Sequence, residues 1–570
     1  MNDNRNMLLA IVLSALVLIG WSLLSDKFFP AAGPQTQQVE KGKVQPLPQP
    51  QAGPAADSPQ ALRARDVVLG ESPRLRVETP RLQGSINLKG ARFDDLDLLA
   101  QRETIARDSP PVRLLSPAGA KDSYFAQFGW SGQSVAVPDA NSVWAASAPV
   151  LAPGQPVTLS WSNPTGQRFE LILSVDDGYM FTVKQRVVNG GSGAVGLRTY
   201  GLASRSKKSP DPSTWTNHVG PIGYLAGKAD YDVDWQTLDE NKAGVTRDSR
   251  GGWLGFTDKY WLTALIPSEG APIEASFLKS ASGAYQAGFA GSQFVVAPGQ
   301  AITSEARLFA GAKEKALLDR YENEGITKLS KSIDWGWFEW FMRPIFNLLT
   351  WLFGVLGNFG LAIISLTFIV RLILFPIADK QFKSMAGMRK VQPKMKALQE
   401  RYKDDKPKLQ QEMLKLYQEE KINPAAGCLP ILLQIPIFYA LYKVLMVSVE
   451  MRHQPFYLWI KDLSAPDPLT PVNLFGLLPF TPPGFLAIGV LPILLGVTMW
   501  IQFKLNPQQM DPVQQQIFSF MPWILMFVMA PFAAGLQLYW VVSNLLTIAQ
   551  QTWLYKRYDM HLSDTHPVKT

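Results

Sequence analysis

Residues 353–377 read FGVLGNFGLAIISLTFIVRLILFPI, an apolar run broken by a single charge, Arg371. At a rise of about 1.5 Å per residue, such a run is long enough to cross the roughly 30 Å of hydrocarbon in a bilayer. Arg371 would then lie roughly 9 Å from the cytoplasmic end of the span. An arginine near the centre of a span costs about 2.5–3.5 kcal/mol on insertion scales, so its presence needs a reason. It either snorkels to the inner headgroups or lies in a wet cavity between helices, open to the cytoplasm. Thr367, four residues earlier, shares its helical face and would extend a polar stripe.

Working outward, four more apolar runs follow at Cys428–Val449, Phe485–Phe503, Ile517–Ala530 and Leu536–Leu554. Pro531 and Gly535 bracket a very short connection between the last two, which predicts a tight helical hairpin. Ser332 to Leu352 carries Trp335, Trp337, Trp340 and Trp351 among few charges, the pattern of an amphipathic helix at a membrane interface, with Pro344 as its expected stop. Met7 to Leu24 is also uncharged and apolar. A cleaved signal peptide is the competing reading, but the run is too long for a signal core and no A-x-A-like site follows it, so an uncleaved anchor over residues 1–25 is expected. With that anchor the spans number six.

Residues 26–60 are rich in Pro, Gln, Ala and Gly and read as a flexible linker. From 61 to about 325 no run is long enough to span. Period-two stretches such as Arg168–Val175 and Tyr179–Val188, separated by Gly, Pro, Asn and Asp clusters, predict a large antiparallel β-sandwich closed by a helix over Lys313–Glu324. The expected fold is therefore mixed, a polytopic α-helical membrane protein with a large extramembrane sandwich.

Orientation follows from the short basic loops. Asp379 to Lys421 holds twelve Lys or Arg and seven Asp or Glu, and Lys556, Arg557 and Lys569 follow the last span; both segments belong in the cytoplasm. Six spans then put both termini inside and residues 26–330 outside, in the periplasm if the cell is Gram-negative. Within the basic loop over 379–425, Met385, Met388, Val391, Met395, Leu398 and Tyr402 recur at helical spacing, as do Leu409, Met413 and Leu416. A helical hairpin turning at Lys403–Pro407 is predicted, with Pro393 kinking or restarting its first arm. Its charges suit anionic phospholipid, while a ribosome or targeting receptor would attract the same charges. Nothing points to specific DNA.

Composition excludes much else. The chain has 570 residues, a formal net charge of +8, 47% hydrophobic but only 18% charged residues, one cysteine and four histidines. That leaves no disulfide framework, no cysteine zinc cluster and little for a histidine metal site. There is no phosphate loop, and the sandwich shows no catalytic constellation; its lone His218, between Trp215 and Pro221, reads as structural. Neither enzymatic activity nor a cofactor is expected.

Polar residues also mark the partner spans. Gln434 sits mid-span between Pro430 and Pro436, and Gln537, Trp540, Asn544, Thr547 and Gln551 recur along the last span. Individually these serve as interhelical glue; as a set beside Arg371 they suggest a wet groove. No intramembrane Asp or Glu stands ready to neutralise Arg371, which argues against a proton relay.

From Phe338 to Tyr558 the sequence resembles the YidC/Oxa/Alb family of membrane protein insertases, and the whole chain is similar to its Gram-negative members. The motifs are Ile364–Pro376 (ISLTFIVRLILFP), Met385–Lys394 (MAGMRKVQPK), Asn423–Pro436 (NPAAGCLPILLQIP), Leu458–Leu463 (LWIKDL) and Gly535–Asn544 (GLQLYWVVSN). The resemblance implies that Arg371 is the groove arginine, Thr367 its helix neighbour and Trp540 the site of a functional aromatic, commonly tyrosine, here preceded by Tyr539. It also implies an outer β-supersandwich resembling sugar-binding folds, the Sec translocon as a partner and nascent membrane proteins as substrates. The expected groove set is thus Arg371, Thr367, Gln434, Gln537, Tyr539, Trp540 and Asn544. Pro430, Ile431, Trp523 and Met526 are the expected apolar contacts of a substrate segment. The expected function is insertion and folding of membrane proteins in the cell inner membrane. Two other classes remain: a secondary transporter, which would need internal repeats and coupling-ion ligands, and a sugar-acting or sugar-binding outer-face protein. A stretch near Leu469–Gly484 is longer than the family loop and has no assigned role.

Overall fold

The computed structural model describes residues 63–557, apart from 133–134, 212, 214–216, 337, 404, 421–428, 476, 479, 481–486 and 506–511. The expected anchor, the linker, the tail over 559–570, Trp337 and Cys428 lie outside the described residues.

Strand formation follows the predicted alternation. In Met180–Asn189, Phe181, Val183, Gln185 and Val187 are buried, while Thr182, Lys184 and Arg186 turn outward. Val183 lies opposite Leu173 on one side and Ala306 on the other. Two sheets form the sandwich. The larger, of eleven strands, runs along its main path through Val245–Arg250, Pro272–Lys279, Tyr285–Gly291, Val195–Arg205, Tyr124–Gly132, Arg92–Arg102, Leu82–Asn87, Arg74–Glu78 and Val150–Leu151. The other, of nine strands, is centred on Trp261–Pro267, Ala301–Ala312, Met180–Asn189 and Gln167–Val175. Pairing is antiparallel except between Arg74–Glu78 and Val150–Leu151. Rings fill the space between the sheets: Trp130 meets Phe169 edge-on at 5.2 Å and Phe93 meets Phe181 at 5.3 Å. Each fully buried large apolar side chain contributes about 1.5–3 kcal/mol.

His218 is structural. It is buried, its Nε2 lies 2.6 Å from the Pro221 carbonyl oxygen, and burial lowers its pKa.

The sandwich ends on helix α1 (Lys315–Asn323). Lys313, expected in that helix, instead approaches it in extended form and is buried, its Nζ donating to Thr257 Oγ1 and the Asp258 carbonyl at 2.9 Å each. Burial pushes its pKa down to about 8.

Helix α2 (Glu339–Leu356) runs through Pro344, so the expected stop there does not occur. A proline forfeits one backbone hydrogen bond, and the buried face of Met342, Phe346, Leu349 and Leu352 outweighs that loss. The boundary expected at 352/353 falls at Gly357, which is left-handed (φ 66°) and donates to the Phe353 carbonyl. Asn358 then caps α3 (Phe359–Arg401) by accepting from the Leu361 N–H at 3.1 Å.

Helix α3 is 43 residues long, so the span and the first arm of the basic hairpin form one rod without a restart at Pro393. The chain turns at Tyr402–Asp405 into α4 (Lys406–Glu419), capped by Asp405, and Val391, Met395 and Leu416 close a small core between the arms. The remaining helices are α5 (Leu429–Val447), α6 (Val490–Leu505), α7 (Pro512–Met529) and α8 (Ala534–Arg557). Among the described residues, only Phe359–Gln381 is long and apolar enough to cross a membrane unaided; α5, α6 and α7 carry shorter apolar segments. These lengths alone do not establish six crossings. The connection from α7 to α8 is as short as expected, and among the described residues the two helices meet at that turn and pack chiefly on α6. Helix α6 packs against both, and its Gly496 leaves room for the Met526 side chain.

Sandwich and helices are clamped together. Asp334 accepts from the His218 backbone N–H at 3.0 Å and faces Lys443 Nζ of α5 at 3.6 Å; Lys443 is 1% exposed. The Glu450 carboxylate accepts from the Lys315 N–H and the Ser448 hydroxyl at 2.8 Å each, and its burial raises its pKa. Arg452 donates to the carbonyls of Arg102 and Glu103 and lies 5.3 Å from the Trp261 ring centre.

Candidate functional site

Three helices, α3, α5 and α8, meet around Arg371. Its Nη2 donates to Ser543 of α8, to Oγ at 2.5 Å and to the carbonyl oxygen at 3.2 Å. Among the described residues no carboxylate pairs with it. Thr367, one turn earlier, is buried and donates to its own helix at the Ile363 carbonyl, 2.7 Å away. Gln434 of α5 donates through Nε2 to the Tyr539 hydroxyl of α8 at 2.5 Å. Tyr539 and Ser543 stand four residues apart on one face of α8, so two polar links join α8 to α5 and α3 side by side. Trp540 meets Phe438 of α5 edge-on at 4.8 Å.

Two expected members lie elsewhere. Gln537 is fully buried and donates to the carbonyls of Met529 and Phe532 at 2.9 Å each, stapling the turn between α7 and α8. Asn544 donates to Thr498 Oγ1 of α6 at 3.1 Å. Both are interhelical glue, separate from Arg371. Ser543 and Thr498 were missed by sequence reasoning. The signal for Ser543 was its place four residues after Tyr539 and four before Thr547.

The expected apolar contacts divide in the same way. Trp523 and Met526 lie on α7, whose face of Phe520, Trp523, Ile524, Phe527 and Val528 is exposed, whereas Met526 is half-buried against α6. Pro430 and Ile431 lie in α5, and their side chains are outside the described residues. A cation held by a hydroxyl and a carbonyl can attract an anionic segment, and the uncovered apolar face of α7 suits an apolar one. Among the described residues no group of three His, Cys, Asp or Glu could hold a metal ion.

Comparison with known proteins identifies the family of the chain. A family model described as 60Kd inner membrane protein matches residues 351–561, and one described as YidC periplasmic domain matches residues 74–348. Membrane protein insertase YidC of Zymomonas mobilis subsp. mobilis is 49% identical over 560 residues, covering 98% of this chain and 96% of that protein. The chain belongs to the YidC family of membrane protein insertases. A further YidC insertase, from Rhizobium meliloti, is 44% identical with 98% and 96% coverage. A solved structure described as an active YidC insertase with the first transmembrane domain resolved is 19% identical, with a TM-score of 0.35, covering 94% of this chain and 98% of that one. As a YidC-family member the chain is a membrane protein insertase of the inner membrane, acting on nascent membrane proteins.

Proposed function

We propose that insertion proceeds through a hydrophilic groove, open to the cytoplasm, between α3, α5 and α8. The observation that carries this is Arg371, a half-buried cation inside an apolar span, held by Ser543 with no carboxylate among the described residues. A short hydrophilic tail of the substrate enters beside it, drawn by the positive charge, while the neighbouring apolar segment slides along α5 and α7 past Pro430, Ile431, Trp523 and Met526 into lipid. Partitioning of that segment, up to about 0.6 kcal/mol for each central Leu or Phe, supplies the driving force without nucleotide. Both termini are cytoplasmic, the chain crosses six times, and residues 26–330 are periplasmic. The basic hairpin of α3 and α4 contacts anionic phospholipid and, transiently, the ribosome or a targeting receptor. Long polar domains pass through the Sec translocon, with which the insertase cooperates.

Photo-crosslinking tests the route. A benzophenone amino acid at Trp523 or Met526 should capture the apolar segment of a ribosome-arrested substrate, whereas the same group at Trp351, exposed on α2, should not. Equal capture at all three positions would overturn it.

A further inference from the structure

The long outer loop between α5 and α6 presents apolar side chains that nothing among the described residues covers. No Asp, Glu, Lys or Arg occurs from Pro468 to Phe503. Within this run Leu474, Phe475 and Leu477 project outward, Leu477 with 81% of its surface exposed, and Val472, Leu478 and Phe480 flank them. Contiguous exposed apolar surface of this kind marks a membrane or protein contact.

The backbone holds these side chains out deliberately. Leu474 and Phe475 adopt left-handed conformations (φ 51° and 60°), which bulky residues avoid unless their surroundings impose them. Among the described residues, five N–H groups of the loop are satisfied within it. Leu474 donates to Pro471, Phe475 to Thr470, Leu477 to Leu474, Leu478 to Asn473 and Phe480 to Leu478, each through a carbonyl at 2.9–3.3 Å. Irregular backbone is not tolerated in the hydrocarbon itself, but at the boundary with the headgroups the carbonyls left over still meet water.

Position completes the argument. Buried Asp467 ties the loop to the first turn of α6: it accepts from the Trp459 indole at 2.8 Å, the Leu469 N–H at 3.0 Å and the Leu491 N–H at 2.7 Å. Val490 donates back to the Leu469 carbonyl. The loop carrying the apolar patch is therefore rooted at the first turn of α6, where the apolar segment of that helix begins. A soluble protein partner would be expected to meet a polar, charged rim around such a patch, and this run has no charge to offer.

We propose that Leu474, Phe475 and Leu477 form a wedge seated in the outer leaflet, at the boundary between headgroups and acyl chains. Through Asp467 the wedge fixes the depth of α6, the helix whose Thr498 holds Asn544 of α8. The inference rests on the proposed topology for the side of the membrane on which the loop lies.

The test uses the full chain with Cys428→Ser and Leu477→Cys, labelled with a polarity-sensitive fluorophore and reconstituted in phosphatidylethanolamine–phosphatidylglycerol vesicles. A second label at Ser282→Cys, in an exposed turn of the sandwich, reports on water. The label at 477 should emit further to the blue and be quenched severalfold more by headgroup-proximal nitroxide lipid than by iodide, with the reverse at 282. Iodide quenching at 477 equal to that at 282 would overturn the wedge. So would a label shielded from both quenchers, which would assign the patch to protein. Reaction of 477 and 282 with an impermeant thiol reagent from opposite sides would instead overturn the topology.

Discussion

Arg371 was visible in the sequence because a lone charge in an apolar run is costly, but its partner was not. The stripe drawn at three- and four-residue spacing, Gln537, Trp540, Asn544, Thr547 and Gln551, follows one face of α8, and Arg371 is held from another. Gln537 and Asn544, seven apart, share one face, while Tyr539 and Ser543, four apart, share another more than a quarter turn away. Only packing decides which face meets α3. Replacing Arg371 with leucine should reduce insertion of a substrate with an acidic tail by about tenfold, the loss of one charged hydrogen bond of about 1.5 kcal/mol. Ser543→Ala should cost less, since the Ser543 carbonyl still accepts from Arg371; initial rates in reconstituted vesicles would measure both. Lys313 allows a pH prediction of opposite character. Its folded pKa, near 8, lies below the ordinary value of 10.5, so the unfolded chain holds the proton more tightly. Its contribution to stability should therefore rise with pH between about 8 and 10.5 and be least favourable below 8. Denaturant midpoints of the sandwich should show the wild type gaining on Lys313→Met as pH rises through that window, the variant lacking this part of the rise.

At the scale of elements, the sandwich was legible because strands with one buried face alternate strictly, as Met180–Asn189 does. The helices of the second half were legible as apolar runs. Their ends were not, because Pro344 and Pro393 look like stops in a sequence and are carried through when the rest of a helix is packed or bonded. Gly357 and Asn358, a left-handed terminator followed by a cap, were the better boundary signal. The clamp between Asp334 and Lys443 joins residues far apart in the chain, and no local pattern announces it. Removing Asp334 alone strands a buried ammonium, a loss of roughly 3 kcal/mol for a pair of this kind. Asp334→Ala should therefore lower the thermal midpoint of the helical core, and adding Lys443→Met should recover most of the loss. In the basic hairpin, Leu416→Ala removes about 2 kcal/mol of packing against Val391 and Met395, and hydrogen exchange along α4 should quicken accordingly.

For the whole molecule, division of labour is the main question. The buried core of the sandwich runs on into the helices, but the Arg371 site is built entirely from α3, α5 and α8. Deleting residues 61–309 while retaining the Asp334 and Glu450 contacts with α5 and its outer loop should leave insertion of small single-span substrates largely intact. Complete loss would favour a sugar-acting or other essential role for the sandwich. The most direct measurement uses vesicles containing only the purified protein, without nucleotide, and a small single-span substrate with a short acidic tail, scored by protease protection of that tail. The account predicts protection that falls when Arg371 and Gln434 are both replaced by leucine. Protection no greater than in empty vesicles, with the protein demonstrably folded, would contradict autonomous insertion through the groove.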